Sequence, residues 1–188
     1  MTAQVPDLVL LGDTAYCLSG VCGDGLFDPE EHGLAPAPTC SACWRGYQCC
    51  YALRDGRFVL DALYLCTAAD GTEPPVLFGV AASPGDGFFT WKFDGLDHDV
   101  KFSGGLLLGD DFVDELYVHM GFHPAWKYRA VHECLIKHGA VLSTWDKSAE
   151  MAELRERLAT QPLEPADAAS RHDVASWVRQ CFRLDYAM

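Results

Sequence analysis

Basic residues are scarce in this chain. Its 188 residues hold 14 lysines and arginines against 27 aspartates and glutamates, a formal net charge of −13. The imbalance is uneven. Residues 1–100 carry fourteen acids, and their only bases are Arg45, Arg54, Arg57 and Lys92. A field of that sign repels phosphate backbones and anionic lipid. Nucleic acid is therefore not an expected partner, and a basic protein is the favoured one.

Long apolar stretches are also missing. Runs such as Leu8–Leu11 and Leu106–Leu108 fall far short of the ~20 residues a membrane-spanning helix needs. The first seven residues have neither a basic region nor an apolar core, so they do not read as an export signal. The expectation is a cytoplasmic protein with no membrane partner. No Gly-x-Ser-x-Gly elbow and no phosphate-cradling glycine loop is present. Gly23-Asp24-Gly25 and Gly85-Asp86-Gly87 read as turns. No cofactor is expected, and no catalytic constellation stands out.

Cysteine, by contrast, is plentiful, with nine residues. An odd number without an export signal argues against a disulfide framework. Most should be small buried hydrophobes. One arrangement has metal-ligand character: Cys17-x4-Cys22 followed by Cys40-x2-Cys43 resembles the paired spacing of a structural zinc ribbon. The expectation is nonetheless that no metal is held stably. His132-Glu133 fails as a zinc-protease signature, because Ile136 stands where the second histidine belongs.

The pattern along the chain is mainly period two. Residues 1–39, rich in glycine and proline, read as an irregular N-terminal segment with a short strand at Leu8–Leu11 and one helical turn in Asp28–Gly33. Residues 40–145 read as a β-rich core. Tyr47, Cys49, Tyr51 and Leu53 alternate on one strand, and Phe58, Leu60, Ala62 and Tyr64 on the next. Asp55-Gly56 between them is a hairpin signal. Further strands are expected at Phe88–Phe93, Val100–Leu108, Leu116–Phe122 and Ala140–Trp145; Tyr128–Lys137 fits a strand, the preferred reading, or a helix with Val131, Cys134, Leu135 and His138 on one face and Gly139 as its stop. Residues 146–188 read as helical: Ser148–Thr160, then a second helix from Ser170 through Cys181. The expected architecture is α+β over one domain, residues 1–188. It would be a mostly antiparallel, curved or barrel-like sheet with C-terminal helices packed on it.

Two short stretches resemble the motifs of a bacterial family of uncharacterised proteins. They are Ala42-Cys43-Trp44-Arg45-Gly46-Tyr47 and Leu116-Tyr117-Val118-His119-Met120-Gly121-Phe122. The resemblance implies a shared β-rich domain over about residues 40–145 and no nameable activity.

Two functional readings follow. In the first, this is a non-catalytic acidic binding protein, immunity- or antitoxin-like, that holds a basic protein partner through acidic loops. The loops are Asp28/Glu30/Glu31, Asp94/Asp97/Asp99 and Asp110/Asp111/Asp114/Glu115. In the second, it is a small-molecule-binding domain or enzyme with a sheet pocket lined by Trp44, Arg45, Tyr47, Tyr117 and His119. Pairing of Cys43 with His119 as nucleophile and base belongs to that second reading. Arg45, placed inward on a strand, requires a carboxylate or a ring of carbonyls around its guanidinium, with Asp114, Glu115 and Glu133 as candidate partners, unless it receives an anionic ligand group.

Overall fold

Asp55 and Gly56 both take positive φ, 53° and 75°, the geometry a tight two-residue hairpin demands. The hairpin they make is the centre of the fold. In the computed structural model, which describes residues 2–68 and 73–159, it consists of β3 (Tyr47–Arg54) and β4 (Arg57–Leu65). Before it come β1 (Leu8–Leu11) and β2 (Thr14–Asp24). After it come five short strands: β5 (Val76–Leu77), β6 (Val80–Ala81), β7 (Ser83–Pro84), β8 (Trp91–Phe93) and β9 (His98–Asp99). Three longer strands follow, β10 (Ser103–Phe112), β11 (Tyr128–Lys137) and β12 (Ala140–Asp146), and then helix α1 (Ser148–Ala159).

Seven of these strands close into a barrel in the order β12-β11-β10-β2-β1-β3-β4. The ring is completed by the pairing of Ala140 with Arg57. All neighbours are antiparallel except β1 and β3, which run parallel, with Leu8 opposite Cys50. The barrel is therefore mixed: the sheet is mostly antiparallel, as expected, but holds one parallel pair. Parallel neighbours cannot be joined by a tight hairpin. Here the whole of β2 and residues 25–46 intervene.

Inward-facing side chains fill the barrel. Val9, Leu18, Phe58, Leu60, Leu106 and Leu108 are buried, and Tyr51 stacks on Phe58 with ring centroids 4.8 Å apart. Burial of each large side chain contributes about 1.5–3 kcal/mol. A smaller apolar cluster lies where α1 meets β11. Met151 packs there against Leu107, Ala125, Tyr128 and Val131. The start of α1 is fixed by the Asp146 carboxylate, which accepts the Ser148 N–H at 2.8 Å. The Ser148 hydroxyl in turn accepts the Val131 N–H at 3.0 Å.

Three expectations need correction. Residues 14–24, read as irregular, form the long strand β2, paired along β10. The strand expected at Phe88–Phe93 is present only over Trp91–Phe93. The strand expected at Leu116–Phe122 is absent: the segment contains a 3₁₀ turn at Asp114–Leu116 and one isolated bridge from Gly121 to Ala3. Its rings pack locally instead. Of the two readings of Tyr128–Lys137 the strand is the one observed, turning through His138-Gly139 into β12. The helix expected from Ser170 lies outside the described residues, so α1 is the one α-helix among those described. No helix among them is long and apolar enough to cross a membrane.

Candidate functional site

β2 ends at Asp24, and the chain then drops into a single 3₁₀ turn, Pro29–His32. The turn forms for the reason its sequence suggests. Asp28 caps it by accepting the Glu30 N–H at 3.0 Å, and Pro29 supplies the preset φ of the first position. Phe27, one residue earlier, is buried and anchors the turn to the core. Facing it is β9, whose His98 and Asp99 pair with Leu60 and Val59 of β4. The Val100 N–H donates to the Phe58 carbonyl at 3.0 Å, which fixes the residues that follow.

Between these two segments lies a cavity of about 510 Å³. Phe27, Asp28, Glu31 and His32 line one side; His98, Asp99, Val100 and Lys101 line the other. That volume suits a small ligand or one long side chain. Four rings brace the wall. Phe27 stacks on His32 at 4.9 Å, and Phe78 stacks on His98 at 3.6 Å with planes 7° apart. The two pairs meet edge to face, His32 against Phe78 at 5.0 Å. Phe78 is at the tip of the β5–β6 hairpin, held at φ 51° and partly exposed.

Acid predominates in the lining, with Asp28, Glu31 and Asp99 against Lys101. Asp99 also accepts from Arg57 Nε at 3.0 Å, and Asp97 from Arg57 Nη2 at 3.2 Å. Burial pushes the His98 imidazole below the ordinary histidine range, and neighbouring His32 pushes it further. His98 is thus neutral at physiological pH and adds no positive charge. The lining contains no serine, threonine, cysteine or tyrosine, so no hydroxyl or thiol nucleophile faces the cavity.

The residues singled out by sequence lie elsewhere, near the far end of β10. Trp44 and Arg45 are the central residues of a turn, not strand residues. The turn is closed by the Gly46 N–H on the Cys43 carbonyl at 3.1 Å. Trp44 is exposed. Arg45 donates to both carboxylate oxygens of Asp7, at 2.9 and 2.7 Å. Its partner is therefore Asp7, not Asp114, Glu115 or Glu133. Burial works against the Arg45 charge, but the Asp7 carboxylate more than offsets it, and the guanidinium pKa is raised. The same guanidinium lies over the Tyr47 ring at 4.8 Å and the Phe122 ring at 5.6 Å. Tyr117 and His119 meet edge to face at 4.8 Å.

The two recognisable stretches are thus neighbours, joined by residues 2–7. Gln4 takes part in both contacts: its N–H donates to the Gly121 carbonyl at 2.7 Å, and its side-chain oxygen accepts the Trp44 N–H at 3.0 Å.

The zinc-like set does not assemble. Cys17 and Cys22 lie on β2, where Cys17 bonds the Tyr128 side chain; Cys40 and Cys43 lie on the turn. No group of three or more potential ligands able to hold a metal occurs among the described residues. Burial raises the Cys43 thiol pKa, which opposes a thiolate nucleophile there.

Comparison with family models, curated proteins and solved structures finds no match. The resemblance of the two stretches therefore adds nothing to the site. Its reading rests on the cavity and the charge.

Proposed function

We propose that this chain is a non-catalytic acidic binding module that holds a basic protein partner. The cavity between residues 25–32 and 98–101 would receive one of the partner's cationic side chains. The observation that carries this reading is the pairing of carboxylates with rings. Asp28, Glu31 and Asp99 come from two separate segments and share a lining with Phe27, His32 and His98. Carboxylates attract a guanidinium or ammonium group, and flanking aromatic rings favour the same charge. The net charge of −13 draws such a partner in from a distance.

The small-molecule reading around Trp44, Arg45, Tyr47, Tyr117 and His119 draws support from the ring contacts there. It is the weaker reading, because Asp7 already occupies the Arg45 fork. Affinity capture on an immobilised arginine-rich peptide tests the first reading. Retention at low salt with elution as ionic strength rises supports it. A protein that passes through unretained at low salt refutes it.

A further inference from the structure

Two cysteines that the binding reading leaves unused end one tight turn. The Cys43 N–H donates to the Cys40 carbonyl at 3.4 Å, so Cys40–Cys43 is a hydrogen-bonded β-turn. Such a turn holds its first and fourth Cα atoms within about 7 Å, and a disulfide spans about 4.4–6.8 Å. The two Cα atoms are thus held within or close to the reach of a disulfide.

A third thiol backs the turn. The Cys66 N–H donates to the Gly46 carbonyl at 2.7 Å, which places Cys66 beside Cys43; the Cys43 thiol donates to the Tyr47 carbonyl at 3.3 Å and the Cys66 thiol to the Phe88 carbonyl at 3.5 Å. Cys43 and Cys66 are buried, at 3% and 0% exposure, whereas Cys40 is only half-buried. An oxidant arriving from solvent therefore meets Cys40 first. All three thiols are free.

We propose that Cys40 and Cys43 are an oxidation site, closing to a disulfide when the protein meets a hydroperoxide. The Cys40 thiolate attacks the terminal peroxide oxygen. The O–O bond breaks, the leaving oxygen is protonated, and Cys40 becomes a sulfenic acid. The Cys43 sulfur then attacks the Cys40 sulfur, and the S–O bond breaks. The departing hydroxide takes up the Cys43 proton and leaves as water. With hydrogen peroxide, one peroxide is reduced to two waters as two thiols are oxidised to one disulfide. Burial raises the Cys43 pKa, which works against the second step.

Closure would tighten the hold of the turn on the N-terminal segment. Ser41 and Ala42, between the two cysteines, accept from the Gln4 side chain and the Val5 N–H, each at 2.9 Å. Bridging the ends of the turn fixes those two carbonyls.

The test treats the full reduced chain with hydrogen peroxide, denatures it in iodoacetamide, and maps the peptides by mass. The expected result is loss of two hydrogens, with Cys40 and Cys43 protected from alkylation and seven cysteines alkylated. Cys40→Ser should abolish the bridge and Cys22→Ser should not. Backbone amide exchange at Val5 should slow several-fold in the oxidised protein. Three results would overturn the proposal. They are a bridge between other cysteines, sulfinic acid at Cys40 with no bridge, and about one zinc per chain in the purified protein. If Cys40→Ser does not fold, the peptide map of the unaltered chain decides alone.

Discussion

Arg45 and Asp7, 38 residues apart, are joined by two parallel hydrogen bonds that tie together the starts of β1 and β3. Asp7 immediately precedes β1, and Arg45 lies two residues before β3. The same carboxylate accepts the Cys49 N–H at 2.8 Å, while the Asp7 carbonyl accepts the Leu18 N–H at 2.8 Å. Strands β1 and β3 are the parallel pair of the barrel, a junction that no tight hairpin can set. The ion pair braces the start of that four-residue ladder.

Breaking that pair from one side should be costly. Asp7 is 5% exposed and the Arg45 side chain 32%. Asp7→Ala leaves the guanidinium without its partner and the buried Cys49 N–H without an acceptor. A loss of about 3 kcal/mol in urea unfolding is expected. Arg45→Met should cost a similar amount, because it strands the Asp7 charge. The double variant should cost clearly less than the sum, as expected of contacting groups. Additive losses would show that the two residues do not act as a pair.

His123 should make stability depend on pH. Both its ring nitrogens are buried without a hydrogen-bond partner among the described residues. Burial, then the charge of Lys127, pushes its pKa down to about 4. The unfolded chain titrates near the ordinary value of about 6.5, so between those values it binds the extra proton and the folded chain does not. Stability from the neutral ring is complete above about pH 6.5 and is lost as pH falls toward 4. Thermal melts across that range should decline more steeply for the unaltered protein than for His123→Phe. Parallel curves would contradict the assignment.

Much of the strand pattern could be read from the sequence, and the reasons for the misses are physical. The β3–β4 hairpin was legible because Asp55-Gly56 is a local signal satisfied locally. The capped turn at Asp28–His32 was legible for the same reason. β2 was missed because its glycines look like breakers. Gly23 crosses Gly104 of β10 so closely that a Cβ on Gly23 would lie 2.2 Å from the Ser103 carbonyl oxygen. The glycine that seems to interrupt the strand is what allows it to pair. Leu116–Phe122 misled in the opposite sense. In the segment Tyr117 packs on His119, His123 and Phe112, and His123 packs on Phe112, with no partner strand alongside. The cavity was illegible because its two sides lie 66 or more residues apart and meet only through the register of β4 with β9. In the sequence its acids belong to two separate loops.

Gly46 offers a sharp test of the turn that carries Trp44 and Arg45. Its φ is 75°, and an added Cβ would stand 2.7 Å from the Ala37 nitrogen and 2.9 Å from the Ala37 oxygen. Backbone atoms cannot rotate aside as a side chain can. Gly46→Ala should therefore destabilise by about 1–3 kcal/mol, read as a lower urea midpoint. Gly12→Ala, at φ 62° with nothing within 4 Å, should cost less. Equal losses would show that strain alone, and not the contact with Ala37, sets the cost.

The central claim, that the cavity and not the overall charge receives a cation, comes down to one comparison. Binding of a labelled arginine-rich peptide would be measured for three proteins at equal salt: the unaltered chain, Asp28→Asn with Glu31→Gln, and Asp13→Asn with Asp86→Asn. Both double variants remove the same charge, and Asp28→Asn keeps a capable helix cap. The cavity variant should bind about three- to tenfold more weakly than the unaltered chain, and the remote variant nearly as well as it. Equal weakening in the two variants would contradict the account and reduce the binding to bulk acidity.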